Sequence, residues 1–250
     1  MTKKFLVAAV LFVAINGAKA QDSSGAAPIQ KKIIDLSNRA NDHLLIQFGV
    51  DGWSTSGLAS NLKPSGFSRH FNIYFLFDKP FKSNPHMSVA YGIGMGWSNI
   101  FFKDVYLDLK STQSTLPITD VSTSASNHYK KFKLVTSYLE VPLELRWVAN
   151  AENPNRGLKF AVGAKFGLLM KAWTKGKNAL DATGKSIYGG SYIIKEQSKQ
   201  FFNSTKVAGT VRIGLGHFSL DGSYQLTGLL KDGAGPTIRP YSIGLTLSGL

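Results

Sequence analysis

The sequence predicts an all-β fold: an eight-stranded antiparallel up-and-down transmembrane β-barrel. Three observations carry that reading. The first is alternation. Between Lys133 and Trp147 the apolar residues Val135, Leu139, Val141, Leu143, Leu145 and Trp147 fall on odd positions, while Thr136, Glu140, Glu144 and Arg146 fall on even ones. Between Leu158 and Lys171 the apolar residues Leu158, Phe160, Val162, Ala164, Phe166, Leu168 and Met170 fall on even positions, while Lys159, Lys165 and Lys171 fall on odd ones. Side chains alternate across a strand, so each segment has one greasy face and one charged face. The second observation is length. Strands of roughly 15 residues exceed the globular mode of about 5–6. They suit a tilted bilayer crossing, which takes about 9–11 residues plus overhang. The third is the spacing between strands, where long connections alternate with short ones.

The elements follow in order. Lys3 and Lys4, the apolar run Phe5 to Ile15 and the small-x-small Ala18-Lys19-Ala20 form an export signal over residues 1–20, with the mature chain beginning at Gln21. Residues 21–42 read as a periplasmic leader, either a tether or a short plug, and 43–250 as the barrel. Strand one covers His43 to Trp53, with Leu44, Ile46, Phe48 and Val50 on one face. A Gly/Ser/Pro loop (54–67) leads to strand two, Ser68 to Phe77, which puts Phe71, Ile73, Phe75 and Phe77 outward and His70, Asn72 and Tyr74 inward. After a proline-bearing turn (78–86), strand three begins at Met87 and continues past the membrane through Phe101, Phe102 and Tyr106.

A Ser/Thr-rich loop spans 109–129. The two long central strands follow, joined by the turn formers of 150–157. A second long loop, 174–204, carries Lys175, Lys177, Lys185, Lys195 and Lys199 against only Asp181 and Glu196. Strand six runs from Thr205 to Gly216, strand seven from Phe218 to Leu230, and a Gly-rich loop (231–236) precedes the closing strand with Tyr241, Ile243, Leu245 and Leu247 on one face. Short turns on one side and longer loops on the other, with an even number of strands, are the outer-membrane pattern. Trp97 and Tyr241 read as the outer aromatic girdle, and Trp147, Phe160 and Phe218 as the periplasmic one. Trp53 and Trp173 point inward by the same register, as lumen caps or the marks of a bulge.

Composition sets further bounds. The chain has 250 residues, is 43% hydrophobic and contains no cysteine, which excludes disulfides, thiolate nucleophiles and Cys-based metal sites. Its formal net charge is +14; the first 20 residues hold three lysines and no acid, so the remainder carries +11. In an exported protein that charge favours outer-membrane lipid, including lipopolysaccharide phosphate, over nucleic acid.

Parity sends Asp51, His70, Glu140, Glu144, Arg146, Lys159, Lys165, Lys171, Arg212 and Asp221 into the lumen. An eight-stranded barrel is just wide enough for side chains to fill it, so these residues predict a packed ionic core. Glu140 and Glu144, four residues apart, stand roughly 13 Å apart along a strand, beyond the roughly 5–9.5 Å of glycosidase pairs. His217, Ser219 and Asp221 share one face at strand spacing, but i and i+2 Cα atoms are about 6.7 Å apart, whereas a nucleophile and its base must meet at about 2.6–3.2 Å. The Gly92-Ile-Gly-Met-Gly96 run lacks the helix of a dinucleotide site, and the five histidines have no metal spacing. No catalytic, cofactor-binding or metal-binding residue is expected. The basic loop lysines are the candidate anion-binding residues.

The runs Leu36-Ser-Asn-Arg-Ala-Asn-Asp-His-Leu-Leu-Ile-Gln-Phe-Gly49, Tyr138-Leu-Glu-Val-Pro-Leu-Glu-Leu-Arg-Trp147 and Arg239-Pro-Tyr-Ser-Ile-Gly-Leu-Thr-Leu-Ser-Gly-Leu250 resemble the PorT-like outer-membrane β-barrel family common in Bacteroidetes. The resemblance spans nearly all of the mature chain. It implies an eight-stranded outer-membrane barrel, and it brings no catalytic residues with it. The chain ends in Leu250 where many outer-membrane barrels end in an aromatic residue read by the barrel-assembly machinery, a partner expected during biogenesis. The expected function is non-enzymatic, through long basic extracellular loops. The alternatives are an accessory subunit of a secretion or envelope complex, a lipid-modifying enzyme built on His217 and Ser219, and a conducting, porin-like pore.

Overall fold

The computed structural model describes residues 43–56, 62, 64–65, 67–121 and 127–249. The expected export signal and leader (1–42) lie outside the described residues. The strands are β1 (Leu44–Ser56), β2 (Arg69–Pro80), β3 (Met87–Phe102), β4 (Val105–Leu107), β5 (Ile118–Asp120), β6 (His128–Val148), β7 (Leu158–Leu180), β8 (Ile193–Gln197), β9 (Thr205–Leu215), β10 (Phe218–Gln225) and β11 (Thr237–Ser248). Eight of them form the barrel. Each of β1, β2, β3, β6, β7, β9, β10 and β11 pairs antiparallel with the next, and β11 returns to β1 with Leu45 opposite Ser248 and Ser56 opposite Thr237. The closed ring leaves no barrel edge unpaired, which removes the liability of exposed strand edges.

Hydrophobic alternation sets which face goes where. Phe48, Phe71, Phe75, Phe77, Leu143 and Phe166 are among the large apolar side chains exposed on the outside. Exposed apolar surface on this scale suits a hydrocarbon solvent and not water. The alternate positions Gln47, Asn72, Tyr74, Glu140, Glu144 and Arg212 are buried inside. Small residues make room for the large ones: a Cβ on Gly94 would collide with the Tyr74 ring. The short connections (81–86, 149–157 and 216–217) all lie at one end, the turn end, and the long ones at the other, the loop end. Gly216 takes a left-handed φ of 62° in the tightest turn, a conformation that favours glycine.

Several boundaries differ from those read off the sequence. β6 begins five residues before Lys133, and β7 continues to Leu180. The segment 174–204 is therefore not one loop. Its first part is β7, its middle returns as β8, and the two pair from Trp173↔Gln197 to Lys177↔Ile193. β10 stops at Gln225, five residues short of Leu230. The 109–129 loop contains β5, which pairs with β4 in a small separate hairpin.

A further difference has the widest effect. Along the β6–β7 seam, Ser137 pairs with Lys171 but Tyr138 pairs with Leu169, so Met170 is an extra residue on β7. Such a bulge shifts the alternation of everything beyond it. Leu169, Ala172 and Thr174 consequently face in and are buried, while Met170 and Lys171 are both exposed.

Candidate functional site

The barrel interior has two parts. Toward the turn end it is polar and charged. Glu140, only 1% exposed, accepts from Lys206 Nζ at 2.8 Å and from the Tyr74 hydroxyl at 2.5 Å. One turn-ward layer down, Glu144 Oε2 accepts from Arg212 Nη2 at 2.7 Å and Arg146 Nε at 2.9 Å, and Arg146 also lies 3.7 Å from Asp78. Lys165 is buried between these layers, with its Nζ donating to the Tyr74 hydroxyl and to Gln47 at 3.2 and 3.4 Å and lying 5.3 Å from the centre of the Tyr74 ring. Gln47 in turn donates to Thr246, and Thr246 to Asp221. Lys159 donates to Ser248. Nearer the middle, His70 Nδ1 sits 2.7 Å from Asp51, which also accepts from Ser98. Ionised side chains are tolerated in a low-dielectric interior only when paired and hydrogen-bonded, and both buried glutamates meet that condition twice over.

Toward the loop end the interior is apolar. Trp53, Leu134, Phe132, Leu169 and Ala172 from the barrel wall pack against Leu62, Val105, Leu107, Leu109, Leu116, Phe201, Phe202, Leu229 and Leu230 from the long connections. Trp53 is a lumen cap: it is buried, and its indole N–H donates to the Leu62 carbonyl at 2.8 Å. Tyr106 ties the β4–β5 hairpin to β8 by donating to Glu196 at 3.1 Å. Burial and that carboxylate push the Tyr106 phenol well above the ordinary tyrosine range, so it stays a donor. Between the cap and the charges lies a cavity of about 50 Å³, lined by residues that include Asp51, His70, Lys206 and Gln225. It has room for a few waters, at the ~10–15 Å³ each that this measure requires.

The residues expected in the lumen thus divide. Glu140, Glu144, Arg146, Lys159, Lys165, Arg212 and Asp221 are all buried within the barrel. Lys171 is not among them. The bulge at Met170 turns it to the outer surface, and Trp173 turns outward with it, only half-buried. The interior also holds Lys206 and Asp78, which the sequence reading did not include. Parity would have found both: Lys206 lies six residues before the inward Arg212, and Asp78 lies four after the inward Tyr74.

The five candidate loop lysines are likewise separated. Lys175, Lys177 and Lys195 lie on one face of the β7–β8 pair, Lys185 is in the exposed turn beyond it, and exposed Lys199 precedes the cap residues Phe201 and Phe202. His217, Ser219 and Asp221 bond apart. His217 Nδ1 lies 2.9 Å from the Ser248 carbonyl, Ser219 is buried, and Asp221 accepts from Thr246. Among the described residues no group of three or more His, Asp or Glu side chains could hold a metal ion.

With a closed barrel, an apolar outer belt and paired charges inside, the match to known sequence families is specific. Residues 39–231 match the family described as the outer membrane protein beta-barrel domain. The chain belongs to that family. In this outer-membrane barrel the turn end is the periplasmic end and the loop end faces outward, as short periplasmic turns and longer outer loops require. No curated protein matches the sequence. Among solved structures, the chain is similar to Ail, the attachment invasion locus protein of Yersinia pestis, in complex with the heparin analogue sucrose octasulfate. That likeness has 11% identity and a TM-score of 0.37, and covers 83% of this chain and 97% of that one. A second structure of the same protein gives 12% identity and a TM-score of 0.29, over 84% and 99% of the two chains. Neither likeness is close enough to bear on function.

Proposed function

We propose that this outer-membrane barrel is non-enzymatic and non-conducting, and that it acts at the cell surface through the structure built on its loop end. One observation carries the proposal: paired charges fill the inner half of the barrel and the long connections pack an apolar cap into the outer half. Water-filled channels belong to barrels of about 16–18 strands, whereas eight strands leave an interior that side chains fill. Export through the 1–20 signal and membership of the PorT-like group, on the three resembling runs, complete the reading. Heat-modifiable gel mobility and planar-bilayer recording test it together. The expected result is a mobility shift on boiling with no conductance steps; reproducible single-channel steps from the shifted species would overturn it.

A second reading, an accessory subunit of an envelope complex, rests on Ile187, Tyr188 and Ile193, which are exposed at the tip of the β7–β8 hairpin. Crosslinking in intact envelopes separates the two. A stoichiometric large species would favour the subunit, and an isolated barrel the surface protein.

A further inference from the structure

The bulge at Met170 builds a feature that the interior network does not use. Beyond it, Lys171, Trp173, Lys175 and Lys177 leave the lumen and join the outward face of a sheet made by the upper parts of β6, β7 and β8. In this sheet Lys133 of β6 is directly opposite Lys175 of β7, and Lys175 is directly opposite Lys195 of β8. One row further out, Lys131 is opposite Lys177. Neighbouring strands are about 4.8 Å apart, and like charges directly opposite each other destabilise a sheet.

Inside the barrel Lys206, Arg146 and Arg212 each have a carboxylate. Among the described residues no ion-pair partner accompanies Lys131, Lys133, Lys171, Lys175, Lys177 or Lys195. Lys133 donates to the neutral Asn99 at 2.7 Å. The one carboxylate of β8, Glu196, is on the opposite face and bound to Tyr106. A row of cations in register, with no counter-charge among the described residues, can take an anion from outside.

The position of the row indicates which anion. On β7 the lipid-facing residues run from Leu158 to Met170, with Leu168 and Met170 both about half exposed, and Lys171 follows at once. The eleven residues from Leu158 to Leu168 match the roughly 9–11 that cross a bilayer, so the lysines begin where the hydrocarbon ends. Aromatic rings bracket them at the same height. Lys195 Nζ lies 4.8 Å from the Trp173 ring centre, and Lys133 Nζ and the Arg69 guanidinium lie 5.5 and 5.7 Å from that of Phe101. Tryptophan favours the headgroup level. The face continues the barrel wall, so it looks sideways along the membrane and not up into the medium. What stands beside it there is the headgroup of a neighbouring lipid.

We propose that the Lys133–Lys175–Lys195 row binds the phosphate groups of a phosphorylated glycolipid in the outer leaflet. Lys171 and Lys177 flank the row on either side, and Lys185 and Lys199 take no part. The proposal rests on the outer-membrane barrel reading. Its test uses the full mature chain folded into phosphatidylethanolamine nanodiscs that contain bis-phosphorylated lipid A, phosphate-free lipid A, or neither. Native mass spectrometry counts the lipids retained. Wild type should retain the phosphorylated lipid at least tenfold better than the phosphate-free one. The triple variant Lys133→Gln, Lys175→Gln, Lys195→Gln should lose that preference, while the double variant Lys185→Gln, Lys199→Gln keeps it. Millimolar inorganic phosphate should not displace the lipid.

Equal retention by the triple variant, equal retention of the phosphate-free lipid, or ready displacement by inorganic phosphate would each overturn the assignment. Heat-modifiable mobility of every variant shows whether the barrel has formed, so a failed barrel is distinguished from a folded barrel that does not select phosphate. If the triple variant does not fold, the single variant Lys175→Gln, which removes the central charge, carries the same comparison with a smaller expected loss of about threefold.

Discussion

Lysine and arginine serve this molecule in two opposite settings. Inside the barrel Lys206, Arg146 and Arg212 are buried or nearly so and converge on Glu140 and Glu144. On the outer sheet face Lys133, Lys175 and Lys195 stand side by side with no carboxylate among the described residues. The contrast separates two uses of positive charge. The inner cations are half of a balanced structure, and removing either half harms the fold. The outer cations oppose one another, and the anion proposed to balance them lies outside the chain.

The largest effect should come from Glu144→Ala, which leaves Arg146 and Arg212 facing each other without their shared acceptor. Breaking a buried ion pair in this way costs about 3–5 kcal/mol, visible as an earlier urea-unfolding midpoint.

Leu109→Ala in the cap, where Leu109 is fully buried, should cost about 2–5 kcal/mol. A change below 0.5 kcal/mol on that scale would mean the cap does not belong to the cooperative fold. The smallest effect has the opposite sign. Lys175→Gln should stabilise the barrel in zwitterionic detergent by about 0.2–1 kcal/mol, and the gain should fade as salt screens the row. A destabilised Lys175→Gln protein would contradict the repulsion on which the comparison rests.

Most of the wall was legible in the sequence because a strand between lipid and a polar interior has to alternate. Glu140, Glu144, Lys165 and Arg212 follow from counting by two. Lys206 and Asp78 follow from the same count: Lys206 is the second residue of its expected strand, and Asp78 lies one residue past the expected end of strand two, which β2 extends to Pro80. Lys171 does not follow. A bulge has no composition of its own, and its trace here is only the apolar run Leu168-Leu169-Met170, where alternation calls for a break. The β7–β8 hairpin was hidden because its inner positions, such as Thr174, Gly176 and Ala179, are small or polar and read as loop. They are small because neighbours crowd them: a Cβ on Gly176 would stand 2.8 Å from the Tyr129 ring. The cap was hidden for another reason. Phe201, Phe202, Leu229 and Leu230 are plainly apolar, but they meet Leu107 and Leu109 only after the chain has closed, and no local period records that meeting.

The extra residue in β7 gives the strand two reading frames, much as a single inserted base does to a message. Below Met170 one frame assigns each side chain to lipid or lumen; above it the other frame applies. A point substitution can change what one position says, but moving the extra residue along the strand exchanges inside for outside across the whole stretch between its old and new places. Relatives of this barrel can therefore keep the same residues on β7 and still display a different surface, if their extra residue falls one turn of the pleat away.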